Sequence, residues 1–338
     1  MAEFPYEIAD LDEKVNSELL SHFEGERSGF VRVGPTGWIL PSAYKQHAQG
    51  FYSMPLRPDD VWIVTFPRSG TTWCQELVWL INNNLDYERS AELALDNRFP
   101  FYEFCILHHP DFHKDVIAAN NNNPEVTELL SFWRRPGYEF LSTAESPRHM
   151  KTHLPFSLLP PDLTKTCKTI YVARNPKDVA ASYFHHNSLL RLHGYNGDFK
   201  KYWDFFEKDL LVYSPYSAHL KEGWARRHDP NVLFLFYEDL ILDLPSSVRK
   251  VAAFLKKTLT DDDVDKLVKH LHIDNFKKAV KVHEDVPLEG MVNNNFATGF
   301  FRRGGIGGNK EYDEELSQRV EQYTQRLTED GIVFPTKN

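Results

Sequence analysis

Four stretches of this chain set charged or proton-accepting side chains at spacings that suit the transfer of a group between two anions. The first is Arg68-Ser69-Gly70-Thr71-Thr72-Trp73, which follows the apolar run Val61 to Phe66 and Pro67. Small residues there let backbone N–H groups converge on an oxyanion, at the positive end of a helix predicted from Thr71 to about Asn82. The second is His149-Met150-Lys151-Thr152-His153-Leu154-Pro155. An imidazole titrates near neutrality and can take a proton from a hydroxyl, while a lysine beside it can stabilise developing negative charge. In the third, Thr169 to Tyr183, a strand ends at Arg174 and a helix opening near Pro176 carries Ser182. An arginine and a hydroxyl so placed can meet on one group, which makes a second anion site. The fourth is Phe301-Arg302-Arg303-Gly304, followed by more glycine and Lys310.

These groups need a scaffold that carries them to one place. Strand-like runs at Val61 to Phe66, Lys168 to Ala173 and Val232 to Tyr237 each precede a helical pattern, the alternation that builds a parallel sheet with crossover helices. Ligands of such sheets bind beyond the C-terminal strand ends, where the Arg68 loop, the Arg174 turn and Tyr237 all fall. The fold class is therefore α/β, one domain over residues 1–338, with a central, mostly parallel sheet flanked by helices. Its first strand-loop-helix is P-loop-like. The polar stretch His108 to Pro124 reads as a surface excursion or a lid, and helices are expected from Pro245, from Asp261 and over Asp313 to Leu327.

Composition narrows the function. A net charge of −9 argues against a general nucleic-acid binder, so the anion sites must be local basic islands in an acidic protein. The 24 Phe and 15 Tyr can fill a core and still line an organic pocket. Cys74, Cys105 and Cys167 are scattered and lack metal-ligand spacing, as expected of reduced structural thiols. His108, His109, Asp111 and His113 do not form a ligand pattern either, and no metal is expected. The acidic start and the lack of a long apolar run predict a cytoplasmic protein that does not engage a membrane.

Taken together and in this order, the motifs resemble the cytosolic sulfotransferases, in particular sulfotransferase 1 family members and forms from insects or other invertebrates. The likeness extends through Asp59-Asp60-Val61, Arg98-Phe99-Pro100-Phe101 and Phe236-Tyr237-Glu238-Asp239. It implies sulfuryl transfer from 3′-phosphoadenosine 5′-phosphosulfate (PAPS, product PAP) to the hydroxyl of a small hydrophobic acceptor: a phenol, catecholamine, sterol or retinoid-like alcohol. By resemblance His153 is the base, and Lys151 and Arg68 stabilise charge. Arg68 to Trp73, that is Ser69, Gly70, Thr71 and Thr72 between them, surround the phosphosulfate. Arg174, Ser182, Arg302, Arg303 and Gly304 take the 3′-phosphate, and Trp73, Tyr237, Phe276 and Phe301 take adenine. Phe99, Phe101, Phe104 and Phe156 would line the acceptor pocket.

The chain departs from the family pattern in three places. Arg68 stands where the family usually has lysine, and a guanidinium keeps the charge but is a poorer proton donor. Asp274-Asn275-Phe276 replaces the usual Thr-Ser-Phe. The family's dimer motif falls at Lys310 to Arg319, where Glu314, Glu315 and Arg319 put charge in place of its apolar and acidic positions. That implies a monomer, or a dimer built elsewhere. Two other readings compete. A P-loop small-molecule kinase would need Gly-x-x-x-x-Gly-Lys-Ser/Thr, which residues 65–73 lack. A non-catalytic nucleotide- or ligand-binding protein would have no use for Lys151 and His153.

Overall fold

Val61–Thr65 is a run of β-branched and aromatic residues, and all five are buried, which is what a central strand covered on both faces requires. In the computed structural model, which describes residues 2–282, 288–293, 305–307 and 310–336, it is β4. It lies inside a four-stranded parallel sheet with β5 (His149–Thr152), β6 (Lys168–Ala173) and β7 (Val232–Phe236), in the order β5-β4-β6-β7. Helices pack on this sheet, so the expected α/β architecture holds. Two features were not foreseen. The polar-looking His149-Met-Lys-Thr is a buried strand, and an antiparallel sheet forms from β1 (Ile8–Asp10), β2 (Phe30–Val33) and β3 (Trp38–Pro41).

Parallel pairing brings every strand's C-terminal end to the same edge. Val64 is paired with Thr152, Thr65 with Val172, and Ala173 with Phe236. The next residues along each chain are therefore neighbours: the Pro67 to Gly70 loop, His153, Arg174 and Tyr237. A short bridge between Phe101 and Lys151 extends this edge, with Lys151 N–H donating to Pro100 C=O at 2.9 Å and Tyr102 N–H to Lys151 C=O at 2.9 Å.

The helices that bear on this edge follow the sequence signals. Helix α1 (Thr71–Asn82) begins at Gly70, whose φ of 99° only glycine adopts readily. Helix α4 (Pro176–Leu189) has Pro at its first turn and Asn175 as N-cap, its side chain accepting from Lys177 N–H. Before it in the chain come α2 (Pro110–Ala119) and α3 (Pro124–Trp133), each opened by proline after a capping side chain. Helix α2 occupies the stretch His108 to Pro124 read as an excursion, and α3 starts at its last residue. The stretch is not a bare surface loop, since His108, Phe112, His113 and Val116 are buried. The expected later helices are α5 (Asp261–Leu271), with a Thr260–Asp263 capping box, and α6 (Glu314–Glu329).

At the base of the sheet Asp60 and Arg148 form a buried double hydrogen bond, Nε to Oδ1 at 2.7 Å and Nη2 to Oδ2 at 2.5 Å. It fixes the starts of β4 and β5 beside each other. No described helix is long and apolar enough to cross a membrane.

Candidate active site

A cavity of about 750 Å³ opens at the C-terminal edge of the sheet. His153 and Lys151 line its middle. Arg68, Gly70, Thr71, Thr72 and Trp73 line one side, and Phe101, Phe104, Trp133 and Tyr213 the other.

His153 continues β5 next to the end of β4. Its Nδ1 lies 2.8 Å from the Thr65 carbonyl oxygen and 3.1 Å from Thr65 Oγ1. A carbonyl oxygen only accepts, so Nδ1 carries the proton and Nε2 holds a lone pair. Burial, and after it the Lys151 charge, hold His153 well below its usual pKa, so the ring is neutral. Phe101 stands edge-on to this imidazole at 5.0 Å between centroids, and Tyr213 at 5.5 Å. Lys151 Nζ rests 4.7 Å above the Phe101 ring and 3.8 Å from Asp96 Oδ1.

The strand-to-helix loop is tightly shaped. Arg68 has φ 66°, a left-handed conformation uncommon outside glycine, and Gly70 lies against Tyr237, where an added Cβ would come within 2.5 Å of the ring. Arg174 secures the turn: Nη1 donates to the Arg68 carbonyl at 2.9 Å and Nη2 to the Gly305 carbonyl at 3.2 Å. Its guanidinium lies 4.3 Å over Tyr237. Arg68 Nε donates to Ser182 Oγ at 3.1 Å, so the two anion-directed stretches, far apart in sequence, form one polar end. Arg174 and Ser182 line the cavity beside Arg68, as do Gly305 and Gly307. Trp73 donates Nε1–H to Leu271 C=O at 2.9 Å, with Tyr237 edge-on at 6.0 Å and Phe276 on the same wall. Ser69 is buried behind the lining. Phe301, Arg302, Arg303 and Gly304 lie outside the described residues.

Of the four phenylalanines expected around an acceptor, Phe101 and Phe104 line the cavity, stacked at 5.3 Å, and Phe99 and Phe156 do not. Phe99 caps the helical turn Leu95–Arg98 and is fully buried against His149, in the core cluster of Leu77 and Val78, whereas Phe101 packs with the cluster on the cavity side. Phe156 stacks on Tyr171 beneath Arg226. No group of three or more His, Cys, Asp or Glu that could hold a metal occurs among the described residues.

Four residues without an assigned role in the sequence reading hold these groups in place: Thr65 and Asp96, described above, Glu103 and Glu238. Glu103 is fully buried; Oε1 accepts the His153 N–H at 2.6 Å and Oε2 the Thr152 O–H at 2.7 Å. Burial pushes it up to about 7. Glu238, also raised to about 7 by burial, accepts the Asn175 N–H at 2.8 Å at the start of α4. The available signal was an acid embedded among aromatic residues, as in Tyr102-Glu103-Phe104 and Tyr237-Glu238. A carboxylate in such surroundings needs buried donors.

Glu103→Ala should leave two buried donors unpaired, at roughly 1–3 kcal/mol each, and lower turnover by loosening His153. Glu103→Gln offers an oxygen to His153 and an amide N–H to Thr152, and should keep most of both. Between the ordinary value of 4.5 and about 7, Glu103 binds a proton in the folded protein but not in the unfolded chain. Wild type should therefore gain stability relative to Glu103→Gln as pH falls through that window. Thermal melts of both at pH 8 and pH 5 check this; a constant difference, or one of opposite sign, refutes it.

A family model described as the sulfotransferase domain matches residues 58–331. Luciferin sulfotransferase of Photinus pyralis is 33% identical across 94% of this chain and 84% of its own length. Sulfotransferase 1 family member D1 of Rattus norvegicus is 31% identical across 89% and 92%. Among solved structures, retinol dehydratase with androsterone and the inactive cofactor PAP superposes with a TM-score of 0.92, at 36% identity over 99% of both chains. Retinol dehydratase with retinol and PAP gives 0.91, at 35% identity over 99% of this chain and 100% of that one. With the family model spanning most of the sequence and the fold matching along nearly its whole length, this chain belongs to the sulfotransferase family.

Proposed function

We propose that the protein transfers a sulfuryl group from PAPS to the hydroxyl of a small hydrophobic acceptor by in-line displacement. The observation that carries this is the His153 tautomer: Nδ1–H is committed to the Thr65 carbonyl, which leaves Nε2 as a neutral base in a cavity with an anion-directed end and an aromatic end. The residues present fit the nucleotide. Arg174 Nε in the polar end, and Ser69 Oγ behind the lining, are buried without a partner among the described residues, and the side chain missing at Gly70 leaves Tyr237 against the loop. The retinol dehydratase structures hold PAP with androsterone or retinol, which supports sterols and retinoid-like alcohols as acceptors here; phenols and catecholamines are proposed on the aromatic lining of the cavity.

PAPS, when bound, supplies the sulfuryl group and departs as PAP. His153 Nε2 takes the proton from the acceptor hydroxyl. Lys151, steadied by Asp96 and the Phe101 ring, supplies positive charge next to that base. Arg68 clamps the phosphosulfate with a planar fork that keeps its own protons. Arg174 and Ser182, with Arg302, Arg303 and Gly304, serve the 3′-phosphate, while Trp73, Tyr237, Phe276 and Phe301 serve adenine. Aromatic walls exclude water from the reacting oxygen.

The protein is proposed to be a monomer. Arg319, where the family's dimer motif has an acid, is taken up within the chain by Asp204 and Glu207, both at 2.6 Å, and Glu315 pairs with Lys200 at 2.5 Å. Light scattering at micromolar concentration should give one chain; a dimer that dissociates when Glu314 and Glu315 are replaced would contradict this.

Transfer of radiolabel from PAPS to a panel of phenols, catecholamines, sterols and retinoids tests the activity. His153→Ala should lower turnover about a hundredfold or more, with PAP affinity retained. No transfer to any acceptor together with no PAP binding would overturn the proposal. Because His153 is held below its usual value, it stays a base at more acid pH, and the acid limb of kcat/KM in Glu103→Gln should lie below the unperturbed 6.5. A limb at or above that value would contradict the neutral, buried imidazole. Arg68→Lys should retain or raise turnover, whereas Arg68→Ala should lose it; equal losses in the two would show that the forked geometry is required.

A further inference from the structure

Beyond His153 the cavity runs along α4, and its wall there includes two imidazoles, His186 and His193, among apolar neighbours such as Leu190, Leu192 and Met291. His193 is 4% exposed and its ring lies 5.4 Å from that of His186. Burial alone holds it down to about 4, with no hydrogen bond or charge contributing, so the ring is neutral and offers one N–H and one lone pair. Among the described residues no side chain is bonded to this ring, which faces the cavity and can exchange one hydrogen bond in each sense with a bound molecule.

The backbone around His193 is fixed from several sides. His193 N–H donates to Leu190 C=O at 3.0 Å, and its own C=O accepts from Gly25 N–H at 3.1 Å. Gly25 is packed so closely that a Cβ would fall 1.9 Å from the Leu192 oxygen. On the cavity side, Arg191 N–H donates to Met291 C=O at 2.9 Å. The ring is thus presented by a rigid turn. α4 carries Ser182, the partner of Arg68; His186 follows one turn later, about 6 Å of rise further along the helix, and the His193 ring lies 5.4 Å from the His186 ring.

We infer that His193 is a specificity-determining residue, and that the preferred acceptor is an apolar alcohol bearing a second oxygen, a ketone or hydroxyl, at the end opposite the reacting hydroxyl. This rests on the transferase reading of the same cavity. An acceptor lacking the second oxygen would leave the imidazole buried and unpaired in the complex, and sites of that kind discriminate strongly against the analogue that lacks the group.

The test uses androsterone, a steroid alcohol with a ketone at its far end, and the same steroid without the ketone. Equilibrium binding of each is measured in the presence of PAP. Wild type should bind the ketone-bearing steroid about fivefold or more tightly, and His193→Phe, which keeps a ring but no nitrogen, should reduce the ratio to within about twofold. His193→Gln, with one donor and one acceptor, should restore part of it. Equal affinities in wild type, or a ratio that His193→Phe leaves intact, would overturn the inference; if the Phe variant fails to fold, the wild-type ratio and the Gln variant carry the test. Turnover of the same pair with PAPS reports separately on the transferase reading. A binding ratio that depends on His193 without turnover of either steroid would uphold the inference and count against transfer to these acceptors, and turnover without a ratio would overturn the inference and uphold transfer.

Discussion

The hydrogen bond from His153 Nδ1 to the Thr65 carbonyl is the contact on which the rest of the site depends. It exists because β4 and β5 run parallel in a register that pairs Val64 with Thr152, so the residues just past the pair face each other. One backbone oxygen then sets the tautomer, aims Nε2 into the cavity and holds the ring where desolvation keeps it neutral. Glu103 reinforces the arrangement from the backbone side, gripping the His153 N–H and the Thr152 hydroxyl together. Shifting β5 by one residue would turn Lys151 and His153 away from the cavity together, since side chains alternate.

The same edge resolves an apparent conflict between an acidic chain and an anionic substrate. With a net charge of −9 the protein as a whole does not attract anions. The attraction is local and partly carried by backbone: the first turn of α1 has N–H groups with no partner inside the helix, and Gly70 lets the chain enter that turn. Arg68 and Arg174 add charge, and each is restrained, one through Ser182 and the other through the Arg68 carbonyl. Restrained cations need little reorganisation when charge develops in a transition state.

Much of this machinery opposes stability. A buried carboxyl at Glu103 and another at Glu238 sit in apolar surroundings, and Arg68 adopts a left-handed backbone. The offset comes from a core continuous across both sheets, in which Trp38, Trp62, Tyr171 and Trp203 are almost wholly buried and rings meet edge to face. The buried Asp60–Arg148 pair at the foot of β4 and β5 keeps the strands in register far from the chemistry.

The sequence by itself determined the α/β class, three of the four parallel strands, and the helices after Gly70 and Asn175. These are local properties: apolar runs, capping residues and small residues at a turn act over a few positions, so they can be read in order along the chain. It did not yield β5, whose His, Lys and Thr look exposed until β4 on one side and the Phe99 to Tyr102 segment on the other cover them. Nor could it separate Phe101 and Phe104, on the cavity, from Phe99 and Phe156, in the core, because identical side chains differ only in the face that packing gives them. Glu103, Asp96 and Thr65 gained their roles from partners about fifty to ninety residues away, at distances of 2.6 to 3.8 Å. Only the tertiary structure could decide those, since a hydrogen bond depends on position in space, and separation along the chain carries almost no information about it.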